Sequence, residues 1–509
     1  MHKEFIYKKE NLPKPIISGR EDLVELYYKA WELAFQNVAC VKREGGVPCL
    51  SCIPSLPRMW VWDSCLMTFI TNYSNGTISA FNNLDILYDM RRKEDGFIAM
   101  AYDYEEKKVC FGERINPPLF AWAEWQYYLI SGDKSRFERV LPAIEGMYSF
   151  IENARRRVCG LYWFTDPGAS GMDNSPRGAF PTAHQDGGDI CHVDLAAQQA
   201  LSAWYLSMIF DLIGNTEKAC FYKEEHARIC ELINAYHWHE ESGFYYDFFY
   251  PHPMYGPPID HLNFLNSKTI AAAWPIIAGA VDENKLAKLN ANFLDPKQFY
   301  TDIPFASLSK QDVNYAPTGG YWKGGTWAST NYALIKGWTD NGCYALAREA
   351  AIKYLDGMCR VYREFDPHTI WECYAPEGFL PCYRKSGSVV RSDFVGWSGI
   401  GPITMLIENV IGLNLNAHEN TVTFRPSSYK ESGIENLFFN GGYISVVLRG
   451  YHPEKGKGEL FIKAEKPFRL ELVTEDEQIQ KIEIAAGEST FRTVKHPQAP
   501  DGSFCLRGV

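Results

Sequence analysis

The feature that most constrains this 509-residue chain is a series of helical segments between residues 22 and 412 that alternate in character. The first, "EDLVELYYKAWELAFQNV", places its apolar residues on one stripe at helical spacing. A later one, "VDLAAQQALSAWYLSMIFDLIG", is apolar on nearly every side, as a buried helix is. The alternation predicts a mainly α fold with an inner ring of helices inside an outer ring. Twelve helices are predicted, with starts near residues 22, 63, 76, 117, 134, 193, 216, 267, 283, 328, 343 and 397.

Beyond this helical region the pattern changes to the two-residue alternation that is typical of strands. The segments "TVTFRP", "GYISVVLRG", "GELFIKAE" and "FRLELVTE" alternate apolar and polar residues and are separated by Gly and Asn turns. We therefore predict three parts. They are an N-terminal extension (1–21), a helical catalytic body (22–413) and a small antiparallel β domain (414–509) that packs against the body.

Composition excludes several classes of partner. The net charge is −11 and no basic run could neutralise a phosphate backbone, so we expect no nucleic-acid partner. No segment approaches 18 uncharged apolar residues, so we expect no membrane span. The charged N-terminus has no signal-peptide core, which predicts a cytoplasmic protein with reduced thiols. Cys49 and Cys52 form the one close cysteine pair, and without a second pair they predict no metal. No cofactor is expected.

Unusual loops precede the apolar helices of the series. They read "WVWDSC", "RINPPLF", "ICHVD", "YWKGGTW" and "FVGWSGIGP". If the inner helices run parallel, these loops gather at one mouth, over helix N-termini that favour carboxylates and sugar oxygens. A further bent segment, "GASGMDNSPR", presents the single carboxylate of Asp173 among glycines and a proline. By itself such a segment is equally the composition of a surface turn.

The ordered set of motifs resembles the glycoside hydrolase clan that contains the trehalases and glycoside hydrolase family 63. "PRMWVWDSC" is similar to the clan's "WDS" segment, and "RINPPLFAW" to its "QPP" segment, with Asn116 in place of the usual Gln. "ASGMDNSPR" resembles the loop that holds the general acid, and "IWECYAPEG" the segment that holds the general base. "GGYWKGGTWASTNY" and "DFVGWSGIGPI" resemble the sugar-pocket lining and the final inner helix. The resemblance implies an (α/α)6 toroid and an inverting, exo-acting α-glycosidase.

Hydrolysis with inversion needs two carboxyl groups about 6.5–9.5 Å apart, one on each face of the sugar ring. The resemblance implies that Asp173 is the general acid, and aromatic neighbours would raise its pKa by desolvation. It implies that Glu372 is the general base, although Glu364 and Glu377 lie nearby in the sequence. The base must stay ionised, so we expect it to be more solvated than Asp173 or close to a cation such as Arg177 or Lys323.

The other mouth segments supply candidates for substrate binding. Carboxylates accept from sugar hydroxyls and Arg donates in a fork, which favours Asp63 and Arg58. Asn116 and Asp194 are hydroxyl partners or helix caps, with capping the safer interpretation for Asp194. Arg177 either holds the Asp173 loop or binds sugar. The tryptophans of these segments could form a floor for the sugar ring, but ordinary core packing is an equally good interpretation of each of them. The predicted substrate-binding residues are Arg58, Trp62, Asp63, Asn116, Arg177, Trp322, Lys323, Trp327 and Trp397.

The predicted function is therefore the release of a terminal glucose or mannose from a small α-glycoside or oligosaccharide. Two alternatives stay open. A glycoside phosphorylase on a similar toroid would use phosphate in place of water and its base. A sugar-binding protein without catalysis would explain the Asn116 departure. The sequence leaves the sugar, the aglycone, the linkage and the oligomeric state undetermined.

Overall fold

The computed structural model describes residues 6–41, 47–178, 190–250, 264, 267–452, 457–473 and 477–493. Within these ranges the chain forms twelve helices, of which the last is π-helical. They are α1 (Glu21–Gln36), α2 (Val61–Thr71), α3 (Phe81–Asp89), α4 (Phe120–Ser131), α5 (Ser135–Ala154), α6 (Val193–Leu212), α7 (Thr216–Tyr236), α8 (Trp274–Ile277), α9 (Glu283–Phe293), α10 (Ala328–Asp340), α11 (Tyr344–Glu364) and α12 (Gly401–Ile411). Short 3₁₀ turns, Ile270–Ala273 and Ser398–Ile400, lead into α8 and α12.

The predicted helix-rich body is confirmed, and most helices begin close to their predicted starts. The largest differences are at α3, predicted near 76 and observed at Phe81, and at α8, predicted near 267 and observed at Trp274. Before α3, Asn75 and Gly76 both adopt positive φ, 52° and 75°, so the chain turns there and cannot yet be helical.

Helices of the two predicted kinds differ in burial. Every residue of α2 is buried, and so are most residues of α6. In contrast, α7 buries only four of its 21 residues. The six helices α2, α4, α6, α8, α10 and α12 contact one another in sequence, and α12 with its 3₁₀ lead-in also contacts α2. These six therefore form a closed cycle, against which the more exposed helices pack.

The structure describes eighteen strands. They are β1 (Lys14–Ile17), β2 (Val38–Val41), β3 (Val47–Leu50), β4 (Arg58–Trp60), β5 (Ala101–Asp103), β6 (Lys108–Cys110), β7 (Ile190–Cys191), β8 (Trp238–His239), β9 (Phe244–Tyr245), β10 (Phe248–Phe249), β11 (Leu413–Asn416), β12 (Thr421–Phe424), β13 (Ser432–Phe439), β14 (Gly442–His452), β15 (Lys457–Ala464), β16 (Phe468–Val473), β17 (Ile479–Ile484) and β18 (Gly487–Thr493). The strands from β2 to β10 form short sheets between helices.

The C-terminal strands form two sheets. The larger has the order β1-β13-β14-β15-β18 and is antiparallel throughout. The smaller has the order β11-β12-β16-β17, and in it β12 and β16 pair in parallel. The predicted antiparallel region is therefore present with one parallel pair, because the chain crosses from the larger sheet to the smaller between β15 and β16. The N-terminal segment contributes β1 at the edge of the larger sheet.

The C-terminal sheets pack on the C-terminal end of α4. There the backbone N–H of Ala417 donates to the Leu129 carbonyl at 2.7 Å, and that of Asn440 to the Ile130 carbonyl at 2.8 Å. The N-terminus of α4, which follows the "RINPPLF" loop, lies at the other end of this helix. Among the described residues, these two contacts therefore lie at the end of α4 opposite to the predicted mouth. In the described ranges no helix has the length and apolarity needed to cross a bilayer.

Candidate active site

The loop that carries Asp173 is fixed by a buried ion-pair cluster. Arg177 donates to Asp194 at 2.6 and 2.7 Å and to Asp247 at 2.7 Å twice, and its Nη1 also contacts the Met172 sulfur at 3.3 Å. These contacts use all five guanidinium donors, and Arg177 is only 1% exposed. Because Asp194 lies in the first turn of α6 and Asp247 between β9 and β10, Arg177 ties the loop to both. Its contacts are those of a residue that holds the loop.

A glycine brings the same loop against the start of α2. Gly171 adopts a φ of 79°, and a Cβ added there would lie 1.6 Å from Cζ3 of Trp62. Asn116 closes the contact, because its Oδ1 accepts from the Trp62 backbone N–H at 3.2 Å and its Nδ2 donates to the Ala169 carbonyl at 3.1 Å. Both ends of the Asn116 amide are therefore engaged within the protein.

The side chain next to Asp173 links its loop to the "GGYWKGG" segment. Asn174 accepts from the Trp322 backbone N–H at 2.8 Å and donates to the Gly320 carbonyl at 2.9 Å. Between these two residues, Tyr321 donates its hydroxyl proton to Oε1 of Glu372 at 2.7 Å. One amide and one phenol thus connect the segments of the two predicted catalytic carboxyls.

Hydrogen-bond donors surround the carboxyl group of Glu372. Arg391 Nη1 donates to its Oε1 at 2.7 Å, and Arg384 Nη2 to its Oε2 at 2.8 Å. The Glu372 side chain is 1% exposed. It is therefore buried rather than more solvated than Asp173, and its cations are Arg384 and Arg391 instead of the predicted Arg177 or Lys323. Two guanidinium groups thus lie at hydrogen-bond distance from this one carboxyl group.

Asp173 has the opposite environment. Its side chain is exposed to solvent, and no ion pair to it is present among the described residues. Enough protein still surrounds the carboxyl for desolvation to raise its pKa, and the negative charge of Glu372 raises it further, to about 6. The charges of Arg384 and Arg391 act in the other direction and lower the pKa of Asp173. Asp173 therefore holds its proton far more readily than an ordinary aspartate, and its carboxyl lies within electrostatic range of Glu372.

A third carboxyl, that of Asp63, shares this site. It lies in the first turn of α2 and is 8% exposed. Burial raises its pKa, a hydrogen bond with the Cys52 thiol lowers it in part, and the charges of Glu372 and Asp173 raise it again, to about 7. Asp63 is thus within range of both predicted catalytic groups and is easily protonated.

The four predicted tryptophans form one continuous array. Ring centroids are 6.1 Å apart for Trp62 and Trp322, 4.0 Å for the stacked pair Trp322 and Trp327, and 5.6 Å for Trp327 and Trp397. Trp397 also donates its indole N–H to the Glu372 carbonyl at 2.8 Å. Trp322 and Trp327 are fully buried, so packing within the array accounts for them. The array joins the starts of α2, α10 and α12.

Two predicted residues stand apart from this centre. Arg58 lies on β4, with its guanidinium carbon 5.5 Å from the centroid of the Phe111 ring. Lys323 is partly exposed, and its carbonyl accepts from the Ala316 N–H at 2.7 Å. In the part of the chain that the structure describes, neither side chain forms a hydrogen bond or ion pair with Asp173 or Glu372.

Sequence reasoning missed four contributors to the site. Tyr321 and Asn174 lie inside motifs that had been singled out, but their spacing alone does not indicate which group they bond. Arg384 and Arg391 lie in "CYRKSGSVVRSD", a polar stretch that looks like an ordinary solvated loop. The available signal was the position of two arginines directly after the base motif.

Cys49 and Cys52 are both buried, and the Cys52 thiol forms a hydrogen bond with Asp63. Over the described residues, no group of three or more His, Cys, Asp or Glu side chains is arranged to hold a metal ion.

Comparisons with known proteins identify the family of this chain. Residues 57–383 match the family described as the mannosylglycerate hydrolase MGH1-like glycoside hydrolase domain. An uncharacterized protein of Borreliella burgdorferi is 27% identical over 412 residues, which are 79% of this chain and 81% of that protein. The mannosyl-oligosaccharide glucosidase of Saccharomyces cerevisiae is 24% identical over 314 residues, 59% of this chain. The aligned part covers only 35% of that yeast enzyme.

Solved structures share the fold. The family 63 mannosylglycerate hydrolase of Thermus thermophilus, in complex with glucose, superposes with a TM-score of 0.60 at 19% identity. That match covers 75% of this chain and 100% of the other. A family 78 rhamnosidase of Bacillus sp. GL1 superposes with a TM-score of 0.63 at 15% identity and covers 89% of this chain and 41% of the other. Because the family match covers well over half of the chain, this protein belongs to the mannosylglycerate hydrolase MGH1-like glycoside hydrolases of family 63.

Proposed function

We propose that this protein is an inverting, exo-acting α-glycoside hydrolase that releases a terminal glucose or mannose from a small α-glycoside or oligosaccharide. The observation that carries the proposal is the contrast between two neighbouring carboxyls. Asp173 has a pKa raised to about 6, while Glu372 is paired with two arginines. Such a contrast is what an acid and a base in one site require.

In this proposal Asp173 protonates the departing oxygen. Its exposed carboxyl can reach a ligand, and substrate binding would remove water from it and favour the protonated form further. The ion pairs of Arg177 and the contact of Gly171 with Trp62 hold its loop, so its position does not depend on the carboxyl itself. A preorganised loop of this kind reduces the cost of aligning acid and substrate.

Glu372 takes the proton of the attacking water. Arg384, Arg391 and Tyr321 donate hydrogen bonds to its two oxygens and fix its position in the site. Asp63 and the exposed part of the tryptophan array are proposed to bind the sugar. The carboxyl of Asp63 would accept hydrogen bonds from the sugar hydroxyls. Inversion then follows from attack on the face opposite to Asp173.

The proposed framework is an (α/α)6 toroid over residues 22–413, with the β region 414–509 as a second part. The cycle of six buried helices supports this arrangement. The names of the relatives support a hexose substrate, because one is a mannosylglycerate hydrolase with glucose bound and another a mannosyl-oligosaccharide glucosidase.

Proton NMR of the first sugar released from a panel of α-glycosides tests the proposal. Aryl α-glucosides, aryl α-mannosides and a few disaccharides form the panel. We expect the β-anomer to appear first and to mutarotate later, and first release of the α-anomer would overturn inversion. The same reactions with and without inorganic phosphate test for phosphorolysis, in which turnover would require phosphate and Glu372 would be dispensable.

A further inference from the structure

Glu372 has no free acceptor position among the residues that the structure describes. Its Oε1 accepts from Tyr321 and from Nη1 of Arg391, both at 2.7 Å. Its Oε2 accepts from Nη2 of Arg384 at 2.8 Å and from the backbone N–H of Arg391 at 3.3 Å. A carboxylate offers about four lone-pair positions, so these donors fill all of them. A general base must hold water at hydrogen-bond distance, and one donor must therefore leave before Glu372 can act.

Three of the four donors are held in place by other contacts. The Tyr321 ring packs 4.8 Å from Trp327, and its backbone N–H donates to the Cys382 sulfur at 3.3 Å. The Arg391 backbone is fixed to Glu372, whose N–H donates to the Arg391 carbonyl at 2.9 Å. The Arg391 side chain is 41% exposed, but it also forms a hydrogen bond with the Tyr321 hydroxyl.

Arg384 is the donor that can move. It begins a turn in which its backbone N–H donates to the Ser388 carbonyl at 2.8 Å, and residues 385–388 of this turn are exposed. On Oε2 it shares the oxygen only with the longer backbone contact. Release of Arg384 would therefore open one well-placed acceptor position toward solvent.

The guanidinium also contacts the face of the Tyr321 ring. Its carbon lies 4.4 Å from the centroid of the Tyr321 ring. A cation over an aromatic face is held by about 0.5–1 kcal/mol at an exposed site. Arg384 can thus leave Oε2, remain over the ring and keep its positive charge close to the carboxylate.

We propose that Arg384 is a positioning residue for Glu372, which keeps the carboxylate ionised in the resting site and withdraws from Oε2 toward the Tyr321 ring when the attacking water enters. This inference rests on the proposed role of Glu372 as the base. The groups that face Glu372 are the cations Arg384 and Arg391, the phenol of Tyr321, the carboxyls of Asp173 and Asp63, and the thiol of Cys373.

The pH profile of kcat/KM tests the proposal in three variants. Arg384→Met removes the charge, Arg384→Lys retains it, and Lys385→Met removes an exposed charge from the same turn without touching Glu372. We expect Arg384→Met to move the acidic limb up by about 1–2 pH units, as loss of an adjacent opposite charge does. The alkaline limb should move up less, because Arg384 lowers the pKa of Asp173 only at longer range.

Recovery at higher pH separates this role from a structural one. The activity that Arg384→Met loses at acidic pH should return above the shifted limb, and Arg384→Lys should keep the limb near the wild-type position. Lys385→Met should match the wild type. An unchanged limb in Arg384→Met, an equal shift in Lys385→Met, or a loss of activity at every pH would overturn the proposal.

A titration that does not need turnover keeps this inference separate from the proposed function. Carboxyl 13C NMR of protein labelled at glutamate, with the Glu372 signal identified by its loss in Glu372→Gln, follows protonation directly. We expect the midpoint of that signal to rise in Arg384→Met and not in Lys385→Met. If no α-glycoside is hydrolysed but the midpoint moves, the proposed function fails while the charge role of Arg384 stands; an unmoved midpoint removes that role.

Discussion

The loop 168–177 and the segment 372–391 place a carboxyl in the same site by opposite means. In the loop the backbone is anchored by Arg177 and by Gly171 against Trp62, and the carboxyl of Asp173 itself is exposed, with no ion pair among the described residues. In the segment the anchors act on the carboxyl of Glu372 itself, which is buried and paired with two arginines.

This difference places the two carboxyls of one site in different environments. Asp173 has no ion pair among the described residues, and desolvation raises its pKa to about 6, whereas Glu372 is held by two guanidinium groups. The like charge of Glu372 adds to the effect on Asp173, since it raises the pKa of Asp173. The proposed division into acid and base thus rests on where each anchor acts.

The largest expected effect is on kcat. Variants of the two carboxyls should differ in how strongly their kcat depends on the leaving group. Asp173→Asn and Glu372→Gln should each lower kcat on substrates with poor leaving groups by about 10²–10⁴-fold. On aryl glycosides whose leaving groups need no proton, Asp173→Asn should regain most of its rate and Glu372→Gln should not. Steady-state kinetics across an aryl series measures this, with thermal midpoints as the control for folding. The same leaving-group dependence in both variants would contradict the assignment.

The next largest effect is expected when the ion pairs that hold the Asp173 loop are removed and those of Glu372 are kept. Arg177→Met leaves Asp194 and Asp247 as buried, uncompensated charges, which costs about 3–5 kcal/mol of the free energy of unfolding. Arg360→Met is the control, because its pair with Glu364 is more than half exposed and contributes less than about 1 kcal/mol. Denaturant unfolding of both variants measures the difference, and equal losses would show that the cluster does not hold the loop.

A smaller effect tests the contact between the loop and α2. Gly171 and Gly342 share a φ of 79°, but a Cβ at Gly342 meets nothing within 4 Å. Gly342→Ala should therefore lower the free energy of unfolding only by the cost of a left-handed backbone conformation in a residue with a Cβ, about 1–2 kcal/mol. Gly171→Ala should cost more and should also lower kcat, because Trp62 or the loop must move. Thermal unfolding and kcat of the two variants check this, and matching values would show that the contact with Trp62 does not hold the loop.

The smallest expected effect is on the pH dependence of kcat/KM, which should follow the protonation of Asp173. Asp173 must carry its proton to act as the acid, so kcat/KM should fall as pH rises through about 6, the value of its raised pKa. The loss should be about tenfold for each further pH unit. The pH profile of kcat/KM in the wild type and in Asp63→Asn tests whether this fall comes from Asp173 or from Asp63. The fall should remain in the variant. Activity that stays level well above pH 6 would be incompatible with Asp173 as the acid.

The sequence indicated the helical body because its evidence is local. The apolar stripe of α1 and the all-round apolar character of α6 are periodic patterns within single segments, and they predict which helices are buried. It also indicated the motifs that hold Asp173 and Glu372, because short segments of fixed order identify a family. The family is now shown by the match over 57–383, whereas the catalytic roles of these two residues stay predictions.

By itself, then, the sequence determined the helices, their inner and outer character and the family. Tertiary structure alone decided which cations face Glu372, that Arg177 pairs with both Asp194 and Asp247, and that β1 joins the C-terminal sheet. The physical reason is that ion pairs and strand pairing join residues far apart in the chain. A local pattern reports whether a residue is apolar or charged, but not which distant partner will neutralise it.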